Sequence, residues 1–448
     1  MRKVIILVTL AAVISSGCGR APSGELVGVQ GRKKWHEPDP YGMVFIPQGH
    51  FIMGPNGEDV MNSQNAFSRT VSVDAFWMDE TEITNNKYRQ FVYYVRDSMM
   101  RSMLGDQGFD EYLITTDEFD REMDEPRLNW DTRIDTRDPD IVDALEEMYY
   151  PPNERFYNRK ELDTRKLVYE YFWVDYEQAA RKSNRWNPET QQYDGTVYNQ
   201  DGEEVPIADR SSFVLRDQVH VYPDTLVWIH DFTYSYNEPM ANMYFWHPSY
   251  DDYPVVGVTW KQAMAFGLWR TNYLNEHLAR RGQGFVQNYR LPLESEWEYA
   301  ARGGIPLSMY PWGGPYTRNM EGCFLANFKP LRGNYTDDGW LYTAPAASFE
   351  PNDYGLYDMA GNVAEWTENA YDESFYTFSH DMNPNYKYNA LPEDPPALKR
   401  KVVRGGSWKD VAYYLQVSSR GYEYQDTATS FIGFRNVRSY LGSTQPGN

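Results

Sequence analysis

Sulfur is where this sequence could do unusual chemistry, and it carries little of it. Cys18 and Cys323 are the two thiols among 448 residues. Thiolates are the soft ligands that select Cu(I) or zinc, but such sites gather two to four of them. Two cysteines therefore exclude a disulfide scaffold and any cysteine-rich metal centre. Imidazole supplies no local substitute: the seven histidines, at 36, 50, 220, 230, 247, 277 and 380, show no ligand spacing. Cys323 is then either buried and inert or paired with another molecule.

Cys18 has a different context. Met1-Arg2-Lys3 is basic, Val4 to Ile14 is almost purely apolar, and Ser15-Ser16-Gly17 precede the cysteine. That order reads as a secretory signal, because the apolar run is too short to span a bilayer. Small residues directly before a cysteine resemble a bacterial lipobox, although Ser15 stands where an aliphatic residue is usual. The expectation is a signal peptide over 1–17, lipidation of Cys18, and attachment to a membrane surface without crossing it. The bland alternative is an ordinary signal peptide with an incidental cysteine.

The elements that must carry any site come next. The chain has 43 Lys+Arg against 64 Asp+Glu, a formal charge of −21, with 16% aromatic and 41% hydrophobic residues. Such a chain can bury a large core, so wholesale disorder is excluded. Its acidity excludes a general nucleic-acid binder, which needs cations to displace phosphate counterions. Residues 18–41 read as a lipid-anchored tether. Strands are expected over Met43–Pro47, Phe51–Gly54, Thr70–Asp79 and Pro254–Trp260. Helices are expected from Thr84 to about Met100, with Tyr88, Phe91, Val92 and Val95 on one face, from Lys261 to His277, and after Leu291-Pro292. In that last helix Glu294, Glu296 and Glu298 would favour the macrodipole. Residues 96–250 hold 33 acids and 16 bases and recurrent aromatics. This tract reads as an inserted subdomain with an interaction surface, or equally as a solvated decoration.

Tyr289 to Gly304 (YRLPLESEWEYAARGG), Tyr354 to Thr367 (YGLYDMAGNVAEWT), Val403 to Trp408 (VRGGSW) and Ile432 to Arg435 (IGFR) together resemble the formylglycine-generating enzyme, or sulfatase-modifying factor, family. Glu80 to Asn85 (ETEITN) fits its early motif. The resemblance implies an α+β, turn-rich fold with short strands, distantly related to C-type lectins. It covers 42–95 and 251–441, interrupted by the acidic insertion 96–250 and followed by a tail, 442–448. The family's oxidase activity uses two copper-binding cysteines after the Gly-Gly-Ser-aromatic motif. Here those positions are Asp410 and about Leu415, and residues 401–448 contain no thiol, so the resemblance implies no catalytic residues and no copper. Two calcium sets align, Asn327, Phe328, Asp338 and Trp340, and Asp358, Gly361, Val363 and Glu365. Carboxylates, amides and backbone carbonyls suit a hard cation that staples turns. The alternative is that these side chains simply hydrogen-bond internally.

A narrower resemblance lies in Gly42–Pro47 and Thr70–Leu104, together with the lipobox and the insertion. These features are similar to lipoproteins of gliding-motility and type IX secretion machines. That resemblance implies an outer-membrane lipoprotein facing the periplasm, self-association into a ring, and a GldN/PorN-like periplasmic partner. Cys323 could join an outer-membrane barrel protein. The expected function is structural. A calcium-dependent glycan or peptide binder with an open aromatic site, and an exported oxidase with non-thiol ligands, are the alternatives.

Overall fold

The computed structural model describes residues 37–55, 67–116, 119, 121–199, 202–330 and 332–442. Cys18, the signal segment and most of the tether and tail lie outside the described residues. Pro40–Tyr440 forms one unit, and the two ends of the chain are assigned to another; the account below concerns Pro40–Tyr440.

Thr84 caps the first long helix, Asn85–Asp106, by accepting a hydrogen bond from Lys87 N at 3.4 Å. Its apolar face is the expected one, extended by Met100 and Leu104 because the helix runs six residues past Met100. The second long helix, Trp260–Arg280, opens with a reciprocal cap: Thr259 N donates to Gln262 Oε1, and Gln262 N donates to Thr259 Oγ1. The two helices meet through Tyr88 and Phe266, stacked at 5.6 Å. Each buries the stripe that its own spacing lays out, so the stability of both comes from the core they share.

Two expected strands are corrected. Pro254–Thr259 forms no strand, and Trp260 already opens the second long helix. Val255 N donates to Ile83 O, Gly257 N to Thr429 O, and Asp224 N to Gly257 O. Gly257, at φ +74°, lies so close to the Asp224 carbonyl that a Cβ would collide with it. The run's hydrogen bonds thus go to separate segments while its valines are buried. Thr70–Asp79 breaks at Asp74, whose N–H donates to Asn383 Oδ1. Arg69–Val73 pairs with Gly49–Met53, while Phe76–Asp79 joins a different sheet.

That sheet has the order Met43–Ile46, Phe76–Asp79, Val437–Ser439, Tyr289–Arg290, all antiparallel, so it closes the early and late parts of the unit on one another. A second sheet has the order Gly421–Tyr424, Arg400–Arg404, Ala364–Ala370, Ile432–Gly433, with the last pair parallel. The signature helix, Glu294–Ala301, packs between sheets with every residue buried. Helix and strand are therefore mixed, with long turns between them.

The acidic tract contributes to the same core. Leu104, Ile141, Leu167, Tyr171 and Phe245 cluster with Phe91, Phe266 and Phe434. Trp130 stacks on Tyr94 at 4.7 Å. An antiparallel ribbon, Val168–Val174 with Val214–His220, lies against the second long helix, with Tyr169 facing Phe91 at 5.2 Å. On the strand Val168–Val174, Glu170 faces solvent while the alternate aromatics Tyr169, Tyr171 and Trp173 are covered, the period-two division expected of a half-buried ribbon.

Candidate functional site

The motif Gly405-Gly406-Ser407-Trp408 leaves the strand Arg400–Arg404 with both glycines at positive φ, +93° and +66°. A Cβ on Gly406 would press on the Tyr414 backbone at 2.8 Å. This tight return lays residues 410 and 415 beside the motif. Asp410 turns its carboxylate back onto Ser407, accepting from Ser407 Oγ at 2.6 Å and Ser407 N at 3.0 Å. Leu415 is fully buried with Tyr310, Ala326, Phe328 and Ala360. Positions 410 and 415, which the resemblance would give to a sulfur pair, hold a hydrogen-bonded turn and an apolar plug, and neither side chain is a soft ligand.

Trp408 is covered from above. It lies against Trp228 at 6.0 Å, Phe232 at 5.3 Å and Tyr342 at 5.2 Å, and its Nε1 donates to Ser430 O. The covering segment comes from the acidic tract. Asp231 fastens it by accepting from Ser430 N and Oγ. Two small cavities among the described residues have volumes of about 20 and 10 Å³. Each has space for about one water. An open aromatic binding site, the expectation of the binder alternative, does not appear in either.

Below the motif the signature helix is held by buried ions rather than by the macrodipole alone. Glu294 takes Arg420 at 2.5 and 3.0 Å. Glu298 takes Arg302 and Arg404, and also accepts from Gly54 N at 2.8 Å. Glu296 binds Arg290 through both oxygens at 2.7 Å and accepts from Leu293 N, capping its own helix. Glu294, Glu298 and Arg404 are inaccessible to solvent, so the network matters chiefly because losing one partner strands another.

The first calcium set is tied to Asn362, the chain neighbour of Gly361 and Val363 in the second: Asn362 N donates to Asn327 O, and Asn327 Nδ2 donates to Asn362 Oδ1. In the first set Asn327 Oδ1 is buried without a hydrogen-bond partner. Asp338 accepts from Phe328 N at 2.8 Å and Trp340 N at 3.2 Å, and burial raises its pKa. An orphan amide oxygen and a half-buried carboxylate without an ion pair among the described residues fit a hard cation. The second set fits poorly. Glu365 already carries a cation, the Arg435 guanidinium at 2.6–2.9 Å, and accepts from Trp297 Nε1. Gly361 is packed on the Asn327 carbonyl, where a Cβ would collide. Asp358 accepts from Ala347 N, and burial pushes its pKa up to about 6. Among the described residues no three His, Cys, Asp or Glu side chains gather around a common metal position.

Sequence reasoning passed over Glu82. It is fully buried; burial, then the nearby Asp358 carboxylate, raises its pKa well above the usual range, and Asn362 Nδ2 donates to it at 3.1 Å. Local sequence gives no signal for its burial, since Glu80, Thr81 and Thr84 around it are polar. Cys323 is exposed, in a turn closed by Asn319, and forms no disulfide among the described residues.

A family model described as the sulfatase-modifying factor enzyme 1-like domain matches residues 32–440. The chain belongs to that family. Its matched stretch includes the acidic tract. The formylglycine-generating enzyme of Bos taurus is 32% identical over 43% of this chain and 46% of that protein. A second Bos taurus relative, named inactive C-alpha-formylglycine-generating enzyme 2, is 33% identical over 41% of this chain and 50% of that protein. A serine/threonine-protein kinase, pkn1, of Chlamydia pneumoniae is 32% identical over 43% of this chain and 25% of that protein. The chain thus spans half or less of the length of these sulfatase-modifying-factor relatives. Relatives carrying such different names show that this domain does not by itself fix an activity.

Proposed function

We propose that this chain is a non-catalytic structural lipoprotein of the GldK/PorK kind, a component of a bacterial secretion or gliding machine. In this reading Cys18 carries lipid, the protein faces the periplasm from the outer membrane, and it associates with itself and with a GldN/PorN-like subunit in a ring. The observation that carries the non-catalytic part is the filling of positions 410 and 415, where an Asp410–Ser407 bond and the buried Leu415 occupy the place of a ligand pair. The inactive relative supports this as a course the family has taken. The roofed Trp408 supports it further, because a peptide thiol would have to displace Trp228 and Phe232 to reach the motif. A calcium ion at Asn327 and Asp338, with backbone oxygens of Phe328 and Trp340, would act as a staple under this roof.

Membranes carrying the tagged full chain, extracted in mild detergent, test the assembly by identification of co-purifying proteins and negative-stain imaging. The reading expects rings containing a periplasmic partner. A partnerless monomer would contradict it.

A further inference from the structure

Residues 217–260 contain six acids and eleven aromatics but no lysine or arginine. Part of this stretch folds as the roof over Trp408, through the short helices Val227–Asp231 and Pro239–Met243. The inner side of the roof is the expected apolar one. Its outer side is apolar as well: Leu226, Tyr234, Tyr236, Met243 and Trp246 are 39–76% exposed. Asp251 is paired with Arg89 and Asp231 is engaged by Ser430, whereas Glu238 lies exposed in the ridge with no ion pair among the described residues. An exposed patch of this composition marks a contact surface, since Tyr, Trp and Met concentrate in interface cores.

A complementary surface lies elsewhere on the same chain. Between Gln178 and Pro188 there are three bases and no acid, within a tract that is otherwise strongly acidic. Arg181, Lys182 and Arg185 are all exposed, form no ion pair among the described residues, and flank the exposed Trp186. This cationic knob sits at the Val174–Val214 end of the ribbon, where Asp175 N donates to Phe213 O. The ridge begins at the opposite end, where Val221 N donates to Leu167 O. The ribbon's seven residues at ~3.3 Å each hold the two surfaces roughly 20 Å apart. One copy therefore cannot neutralise itself.

We infer that the cationic knob of one copy docks on the acidic aromatic ridge of a second copy, head to tail. The contact uses Arg181, Lys182 and Arg185 over Tyr234, Tyr236 and Trp246, with Glu238 as the counter-charge. Arginine over aromatic faces is attractive, and the opposed charges fix the register. Because the two surfaces differ, the contact is heterologous and propagates around a closed assembly. This inference rests on the self-association proposed above and names its surfaces.

The test uses the full chain in mild detergent and reads self-association by sedimentation velocity. Knob variant Arg181→Glu/Lys182→Glu/Arg185→Glu and ridge variant Asn237→Arg/Glu238→Arg are each expected to associate roughly tenfold more weakly or worse, with unchanged circular dichroism. An equimolar mixture of the two variants is expected to recover association, because reversed knob then meets reversed ridge. Wild-type-like association of either variant, or failure of the mixture to recover, overturns the inference while leaving the scaffold reading standing. A wild-type chain that stays monomeric overturns both. Ridge variants that keep self-association but lose a co-purifying periplasmic protein assign the ridge to that protein instead, and overturn the inference.

Discussion

If positions 410 and 415 are structural, truncating them must cost stability. Leu415 is wholly buried among Tyr310, Ala326, Phe328 and Ala360, and its side chain also lines the approach to Gly406. Leu415→Ala removes that filling and leaves a cavity in rigid surroundings, an expected loss of about 2–5 kcal/mol. Asp410→Ala removes two acceptor contacts to Ser407, one of them to a backbone N–H at the start of the turn. Hydrogen bonds to a charged group contribute about 1.5–3 kcal/mol each when buried, and discounting for the partial exposure of this turn leaves roughly 2 kcal/mol in all. The two sites share the turn 406–415, so the double variant is expected to lose less than the sum. Urea unfolding followed by tryptophan fluorescence and by circular dichroism measures both. Residues kept for chemistry are commonly neutral or stabilising when truncated. Losses below about 0.5 kcal/mol at both positions would refute the reasoning, since surface substitutions with no structural role fall in that range.

Glu298→Ala strands Arg404 and Arg302 in the interior and is expected to cost about 3–5 kcal/mol, read as a lowered urea midpoint. Lys401 lies over the Trp260 ring, and burial pulls its pKa down to about 7. Its folded pKa is below its unfolded one, so the unfolded chain binds the extra proton between pH 7 and about 10 and stability from this group rises across that window. Thermal midpoints should therefore show wild type gaining on Lys401→Met as pH rises from 7 to 10; a constant gap would contradict the burial argument. Calcium at about a hundred times its dissociation constant should raise stability by roughly 2.7 kcal/mol, an effect that Asn327→Ala should abolish in thermal-shift titrations. Cys18→Ala should move the protein from the membrane pellet to the soluble fraction, and continued sedimentation with membranes would argue against a lipid anchor.

The helices were legible because each carries a cap and a stripe: Thr84 before Tyr88-Phe91-Val92-Val95, and Thr259 with Gln262 before Ala263-Phe266. The family signatures were legible for the same reason that they fold tightly, since Gly361, Gly405 and Gly406 occupy backbone positions that few other residues tolerate. Strand boundaries were less so. Val255, Val256 and Val258 have the composition of a strand, but Gly257 diverts the backbone and each hydrogen bond finds a separate partner. Pairing partners are a tertiary property that alternation alone does not encode. Local spacing offers the glutamates of the signature helix only a macrodipole role, because Arg404 and Arg420 arrive from more than a hundred residues away. The roof over Trp408 was hidden for a related reason: its anchor, Asp231 on Ser430, joins the acidic tract to the C-terminal motif.

The central claim is most directly tested by presenting the purified, calcium-supplied chain with Cu(I), oxygen and a cysteine-containing peptide, and following the peptide by mass spectrometry. The account predicts that the thiol survives at the rate of the protein-free control. Conversion of the cysteine to an aldehyde at a rate proportional to protein concentration would contradict it.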